Sequence, residues 1–270
     1  MPTTPADTLA APVQHGLPRV SFWTRLHFAW ALLFAAVVTV PCTTAVLLHN
    51  AFRPSVRTFK FWSTLWARLI LMGAGVKVES DVRAKLDRDQ PAVFVVNHQN
   101  ELDIVTLLAG IPHPFGFMAK AELRRVPFLG SVLHRTSCLF VDRSDPRRAV
   151  QSIRVAAERI REGTSVLVFC EGSRSFSRDL LPFSRGAFVL AVEAGVPLVP
   201  VTVIDNYKRL DERRAVGRVG TVHMVVGEPI AMANRTRGDV SALMDEVRDV
   251  MQAELDRAHG VSSAHAHPAL

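Results

Sequence analysis

The pattern of apolar and polar positions divides the chain into a greasy opening quarter and a longer alternating part. No formal charge occurs at 26–51, and 28–48 is an apolar run of 21 residues. About 20 such residues cross the hydrocarbon core of a bilayer as a helix. Pro41 stands inside the run with Thr39, Thr43 and Thr44 around it. The segment is therefore expected to be one kinked span, or a helix that dips in and turns near Pro41. Residues 56–72 repeat with a helical period instead: Arg57, Lys60 and Arg68 share one face, and Phe59, Trp62, Trp66, Leu69 and Ile70 the opposite one. That is a basic amphipathic helix of the interfacial kind. All four tryptophans (Trp23, Trp30, Trp62, Trp66) lie in this quarter, as ring anchors at headgroup level do. A pair of buried core helices is the competing reading, against which the run length and the Trp clustering both count. A cleaved signal peptide is the other, opposed by the long arm ahead of the run and the lack of a small-x-small site after it.

Beyond Gly73 and Gly75 the pattern changes to short β-branched runs separated by helical periods. Residues 92–96 (AVFVV) predict a buried strand, 101–109 a helix, 116–119 a short strand and 122–134 a helix around Pro127. A strand at 138–141 is followed by a helix at 146–161, capped by Ser144 or Asp145 and ended by Gly163. Then come a strand at 165–169, a helix at 186–194 closed by Gly195, strands at 198–203 and 221–226, and a last amphipathic helix at 240–257. Such alternation predicts an α/β fold with a mixed, largely parallel sheet flanked by helices. The expected organisation is a disordered arm at 1–21, a membrane-associated helical segment at 22–74, a catalytic-type domain at 75–259 and a disordered tail at 260–270.

Composition narrows the class. At 270 residues and 49% apolar, the chain has ample material for a core. Three cysteines without paired spacing argue against a disulfide framework or a zinc site. The net charge of +7 is concentrated early: residues 1–75 hold six bases (Arg19, Arg25, Arg53, Arg57, Lys60, Arg68) against the single acid Asp7. A nucleic-acid binder would carry its basic stripe on the folded domain. Here the excess accompanies the greasy segment, which points to anionic lipid. Four of those bases follow the apolar run and two precede it, placing the following domain on the cytoplasmic side of a cell membrane.

Two post-strand loops carry candidate chemistry, since open α/β sheets place ligands outside the carboxyl ends of their strands. The first, Asn97-His98-Gln99-Asn100-Glu101-Leu102-Asp103, follows the strand at 92–96. His98 and Asp103 are too far around a helix to share a face. They can meet if His98 lies in the loop and Asp103 in the first helical turn, with Asn97 or Asn100 capping. The carboxylate then fixes the imidazole tautomer and stabilises the imidazolium. The second, Phe169-Cys170-Glu171-Gly172-Ser173-Arg174-Ser175, offers a turn at Gly172, hydroxyls and an Arg fork suited to an anion. A solvated turn with a surface Arg, for instance one paired with Glu171, is the alternative. A third block, Lys120 through Gly130, reads as an amphipathic helix start with Arg124 and Arg125 facing water. His113, His134 and His223 read as structural or surface residues, and no His/Asp cluster completes a metal shell.

Taken in order, NHQ-x3-D, AKAEL-x3-PFLG, FVDRS, F-x-EGSRS and EAGVPLVPV resemble the lysophosphatidic acid acyltransferase (PlsC-like glycerolipid acyltransferase) family over 75–205. The chain has Cys170 where that pattern has Pro, Ser173 where it commonly has Thr, and Arg185 where Lys is frequent nearby. The resemblance implies acyl transfer from acyl-CoA or acyl carrier protein to the free hydroxyl of lysophosphatidic acid, with no covalent enzyme intermediate and no cofactor. It implies His98 as general base and Asp103 as its orienter. Glu171, Gly172, Ser173 and Arg174 are implied at the acceptor phosphate, with Lys120 and Arg125 as further candidates. Another acceptor (glycerol 3-phosphate, another lysophospholipid or a lyso-aminolipid) and a non-catalytic lipid-binding protein are the alternatives. No pattern bears on oligomeric state.

Overall fold

The structure is a computed structural model, described over residues 20–52, 56–87, 89–120, 138–141 and 146–261. The expected terminal arm and tail lie almost wholly outside those residues, as do the helix expected at 122–134 and, with it, Arg125.

The apolar run forms one unbroken helix, α1 (Phe22–Phe52), with Pro41 inside it. The hydroxyls of Thr39 and Thr44 bond back to Ala35 O (2.6 Å) and Val40 O (2.9 Å) on either side of the proline. Of the two expected alternatives, a single span through Pro41 and a turn-back there, the chain takes the single helix. The stretch Phe22–His49 is long and apolar enough to cross a membrane.

Helix α2 (Val56–Gly73) packs on α1 and on α3 (Leu102–Gly110). It departs from the interfacial reading in two ways. Three indole N–H groups bond within the helix pair: Trp30 to Gly73 O (2.9 Å), Trp66 to Thr39 Oγ1 (2.9 Å) and Trp62 to His49 Nδ1 (3.3 Å). Lys60 turns toward the domain, where its Nζ donates to Leu108 O (3.1 Å) and Ile111 O (2.5 Å). A cation there complements the exposed carbonyls at the C-terminus of α3. Burial, and then the nearby Arg68, push the Lys60 ammonium down to about 8. With Ala67 and Leu71 fully packed, α2 is a bridge between the apolar helix and the domain.

The sheet has seven strands in the order β1-β9-β6-β2-β5-β3-β4, formed by β1 (Val76–Val82), β2 (Val93–Val96), β3 (Gly116–Lys120), β4 (Leu139–Val141), β5 (Val166–Phe169), β6 (Leu198–Ile204) and β9 (Gly220–Val226). Every neighbouring pair is parallel except β6 with β9. A small hairpin, β7 (Leu210–Asp211) with β8 (Val216–Gly217), stands apart from it.

Side chains alternate across a strand, so β2 feeds two cores. Val93 and Val95 pack with Ile160 of α4 (Pro146–Arg161), Phe188 of α5 (Arg185–Ala194) and Leu243 and Met251 of α6 (Val240–His259). Phe94 and Val96 pack with Leu71 of α2 and Leu107 of α3 on the other face. The strands β2, β5 and β6 are therefore held from both sides, and loops leaving their carboxyl ends start from fixed points.

Candidate active site

Strand β2 ends where Asn97 replaces a ladder rung with its side chain. Its amide donates to Val203 O (3.0 Å) and accepts from Val203 N (2.7 Å), clamping the strand end to β6. The next residue, His98, is thereby released into a loop over the sheet edge. Asn100 Oδ1 then accepts from Leu102 N (3.0 Å), but the N-cap is Glu101, which makes no side-chain cap bond, so neither Asn97 nor Asn100 is the N-cap residue expected; α3 begins with Asp103 in its first turn.

This geometry brings His98 and Asp103 together. His98 Nδ1 lies 2.8 Å from Asp103 Oδ2, with the carboxylate fully buried and the imidazole side chain 16% exposed. Asp103 is held from four directions: Oδ2 also accepts from Gln99 N (2.5 Å) and Asn100 N (3.1 Å), and Oδ1 accepts from Asn206 Nδ2 (2.7 Å). An ionised carboxylate saturated by donors on both oxygens fixes the ring nitrogen facing it as N–H. Nε2 is left as the basic nitrogen, with no bonding partner among the described residues. Phe169, the last residue of β5, stacks on the imidazole at 3.8 Å and 15°. Ring plane and tautomer are both set before any ligand arrives.

Strand β5 is parallel to β2 and ends beside it, so its exit loop lies against the first. Ser175 N donates to His98 O (2.8 Å) and Phe176 N to Gln99 O (3.1 Å). Gly172 has φ +73 with nothing within 4 Å of where a Cβ would sit, so its backbone conformation, not space, calls for glycine. It turns the chain at an exposed tip with Ser173, and Arg174 follows.

Glu171, expected at an acceptor phosphate, points inward. Its Oε1 accepts from His98 N (2.9 Å) and its Oε2 from Leu181 N (2.9 Å). Burial pushes its carboxyl up to about 7, against those two donors. A buried carboxyl facing backbone amides positions the His98 loop and offers nothing to an anion. Arg174 also differs from the simplest expectation: its Nη1 donates to Glu101 and to Glu212 Oε1 (3.0 Å), not to Glu171. Lys120 is the last residue of β3, at the same sheet edge as these loops.

Asn206 and Glu212 were absent from the sequence reading. Each reaches the site across about a hundred residues or from a hairpin too short to show a period, and no local motif marks them. Phe169 was visible only as the end of a strand. A cleft of about 940 Å³ opens elsewhere, beside the amino ends of β2 and β5. There His113 Nε2 meets Ser165 Oγ at 3.0 Å, but that hydroxyl already accepts from Ala92 N (3.1 Å), which marks a structural pair. His223 lies at the surface beside Glu79. Among the described residues no three His, Cys, Asp or Glu are grouped to hold a metal ion.

Comparison with known proteins adds four findings. The family model described as Acyltransferase matches residues 77–204. The chain is 32% identical over 236 residues to the human 1-acyl-sn-glycerol-3-phosphate acyltransferase beta, covering 86% of this chain and 82% of that protein. It is 36% identical over 184 residues to an uncharacterized acyltransferase of Schizosaccharomyces pombe, covering 65% of this chain and 66% of that one. In three dimensions it is similar to the crystal structure of the 1-acyl-sn-glycerophosphate (LPA) acyltransferase PlsC from Thermotoga maritima. That match has a TM-score of 0.75 at 22% identity, over 89% of this chain and 98% of the other.

Proposed function

The chain belongs to the acyltransferase family that includes the 1-acyl-sn-glycerol-3-phosphate acyltransferases, and on that premise we propose that it acylates lysophosphatidic acid to phosphatidic acid. The acyl group comes from a thioester, acyl-CoA or acyl carrier protein. The observation that carries this reading is the His98–Asp103 pair, pre-set at the end of the central strand with Nε2 open.

The step balances without a cofactor. The acceptor hydroxyl attacks the thioester carbonyl while His98 Nε2 takes its proton, and the imidazolium formed is stabilised by buried Asp103. The tetrahedral adduct collapses, the C–S bond breaks, and the proton passes from Nε2 to the departing thiolate. Ester and free thiol are the products. A hydroxyl at neutral pH needs such a base, and removal of one costs about 10²–10⁴ in rate.

Arg174 is the acceptor's phosphate contact in this reading. Its guanidinium stays charged at physiological pH and matches phosphate two-pronged, which an ammonium does not. Arg174→Lys is expected to raise the acceptor KM by about tenfold and leave the donor KM in place. Equal movement of both constants, or none in a folded variant, assigns Arg174 to structure instead. Measuring both constants beside the melting temperature decides it.

Helix α1 holds the site at the lipid surface, with the domain on the cytoplasmic side. Removing α2 as well would strip Ala67 and Leu71 from the core, so the anchor is better tested by charge. Leu33 and Val37 are 61% and 64% exposed and sit one turn apart on the same face. A charged side chain at the centre of a span costs about 2.5–3.5 kcal/mol. The double variant Leu33→Asp, Val37→Asp should therefore move the protein from the salt-resistant membrane fraction to the soluble one. Retention in the membrane fraction would exclude α1 as the anchor.

A further inference from the structure

The hairpin at 210–217 is tied to the loop that carries His98. Asn100 Nδ2 donates to Asn206 O (2.8 Å) and Leu210 O (2.7 Å), and Tyr207 N donates to Gln99 Oε1 (3.2 Å). Between the two strands stands Arg213, whose guanidinium lies on the Phe176 ring, 3.7 Å from its centroid. The Arg174 guanidinium lies 5.5 Å from the same centroid. Phe176 in turn donates its N–H to Gln99 O (3.1 Å), the residue after His98. Its φ is +52, a left-handed conformation that strains a bulky residue and recurs at functional sites. The two arginines are equipped differently. Arg174 Nη1 already serves Glu101 and Glu212. None of the five N–H groups of Arg213 has a hydrogen-bond acceptor among the described residues, and its side chain is 49% exposed. The carboxylate beside it, Asp211, is 3.7 Å from Arg213 Nε and is shared with Arg214 at 3.8 Å.

We propose that Arg213 is a second phosphate-binding residue of the acceptor site, gripping the phosphate together with Arg174 and using the Phe176 ring as its platform. This rests on the reading of the Arg174 loop as the acceptor phosphate site. A phosphomonoester carries a charge of about −1.5 to −2 at neutral pH. Arg174 alone, facing Glu101 and Glu212, would offer it a net negative partner. With Arg213 and Arg214 counted, three guanidinium groups match the carboxylates of Glu101, Asp211 and Glu212, and the incoming phosphate meets no net repulsion. Arg213 also brings a complete fork for a two-pronged contact. A guanidinium stacked on an aromatic face is weakly hydrated and already ordered, so little freedom is lost when it binds. In this role the strained Phe176 backbone holds the ring, and with it Arg213, against the His98 loop.

The test measures kcat and the KM values for lysophosphatidic acid and one acyl-CoA in Arg213→Gln and Arg213→Lys, beside the melting temperature. Acyl-CoA carries phosphate groups of its own, so the two constants separate the sources. Arg213→Gln should raise the acceptor KM about tenfold with the donor KM unchanged, as the loss of one charge-assisted contact does. Arg213→Lys keeps the charge without the fork and should recover only part of the loss. A rise in the donor KM instead assigns Arg213 to the CoA phosphates and overturns the proposal. Equal movement of both constants, or none in a folded variant, overturns it as well. Phe176→Leu, which removes only the platform, should also raise the acceptor KM alone and serves if Arg213→Gln does not fold. Arg174→Lys in the same assay separates the proposal from its premise. If it raises the acceptor KM while Arg213→Gln does not, only the proposal fails. If neither variant raises it, the phosphate site at this loop fails and the proposal with it.

Discussion

His98→Ala is expected to lower acyl transfer about 10²–10⁴-fold with the melting temperature and membrane association unchanged. The size follows from what the imidazole alone supplies. Among the described residues, Nε2 is the basic atom at the end of β2 that is both accessible and fixed in direction, through Asp103 below it and Phe169 against its face. The side chain contributes little to the core. Its loop is secured by backbone bonds to Glu171 and Ser175, which alanine keeps. A variant retaining more than a tenth of the parental kcat/KM would remove His98 from the reaction.

The second large effect is expected at Asp103. Asp103→Asn keeps the shape. Its amide oxygen can still accept from Gln99 N and Asn100 N, and Asn206 can rotate its amide to receive the new NH2 group. The protein should fold. The amide oxygen also still faces His98 Nδ1, but the neutral group cannot stabilise an imidazolium as the carboxylate does, so kcat should fall about 10²–10⁴-fold while both KM values stay near those of the parent. Asp103→Ala is different in kind. It leaves the buried amides of Gln99, Asn100 and Asn206 without their acceptor, and breaking such a buried charged network costs about 3–5 kcal/mol. Thermal unfolding beside steady-state kinetics distinguishes the two variants. Equal loss of stability in both would mean that Asp103 serves the fold alone.

How much of this was legible in the sequence depends on the range over which each residue acts. The strands β2, β5 and β6 were readable because both of their faces are buried, which leaves unbroken β-branched runs. Strand β1 was missed. Among the described residues it pairs with β9 alone, at the sheet edge, and Lys77, Glu79 and Asp81 alternate along it with Val76 and Val78, a charged edge pattern in place of the unbroken apolar run that marks a buried strand. Helix α2 was found, with Arg57 and Arg68 exposed on its charged face, but Lys60 was misplaced. Lys60 looked solvent-bound on a helical projection, and only the position of α3 turns it into a cap on the Leu108 and Ile111 carbonyls.

The site shows the same division. His98 and Asp103 are five residues apart, and their meeting needed only a loop followed by a helix start. The inward turn of Glu171 depends on Leu181, and the third support of Asp103 on Asn206. No local pattern encodes either contact. Arg174 was recognised as a charged fork at a turn, but its carboxylate partners come from the first loop and from the hairpin, which a reading along the chain cannot bring together.

The central claim is direct transfer by a base-activated hydroxyl, and thiol release tests it most directly. Purified protein is mixed rapidly with acyl-CoA, with and without lysophosphatidic acid, and free CoA and phosphatidic acid are quantified from the first turnover. The account predicts no CoA above background until acceptor is present, and then one CoA for each phosphatidic acid formed. A burst of CoA equal to the enzyme concentration without acceptor, or CoA release with no phosphatidic acid, would contradict it.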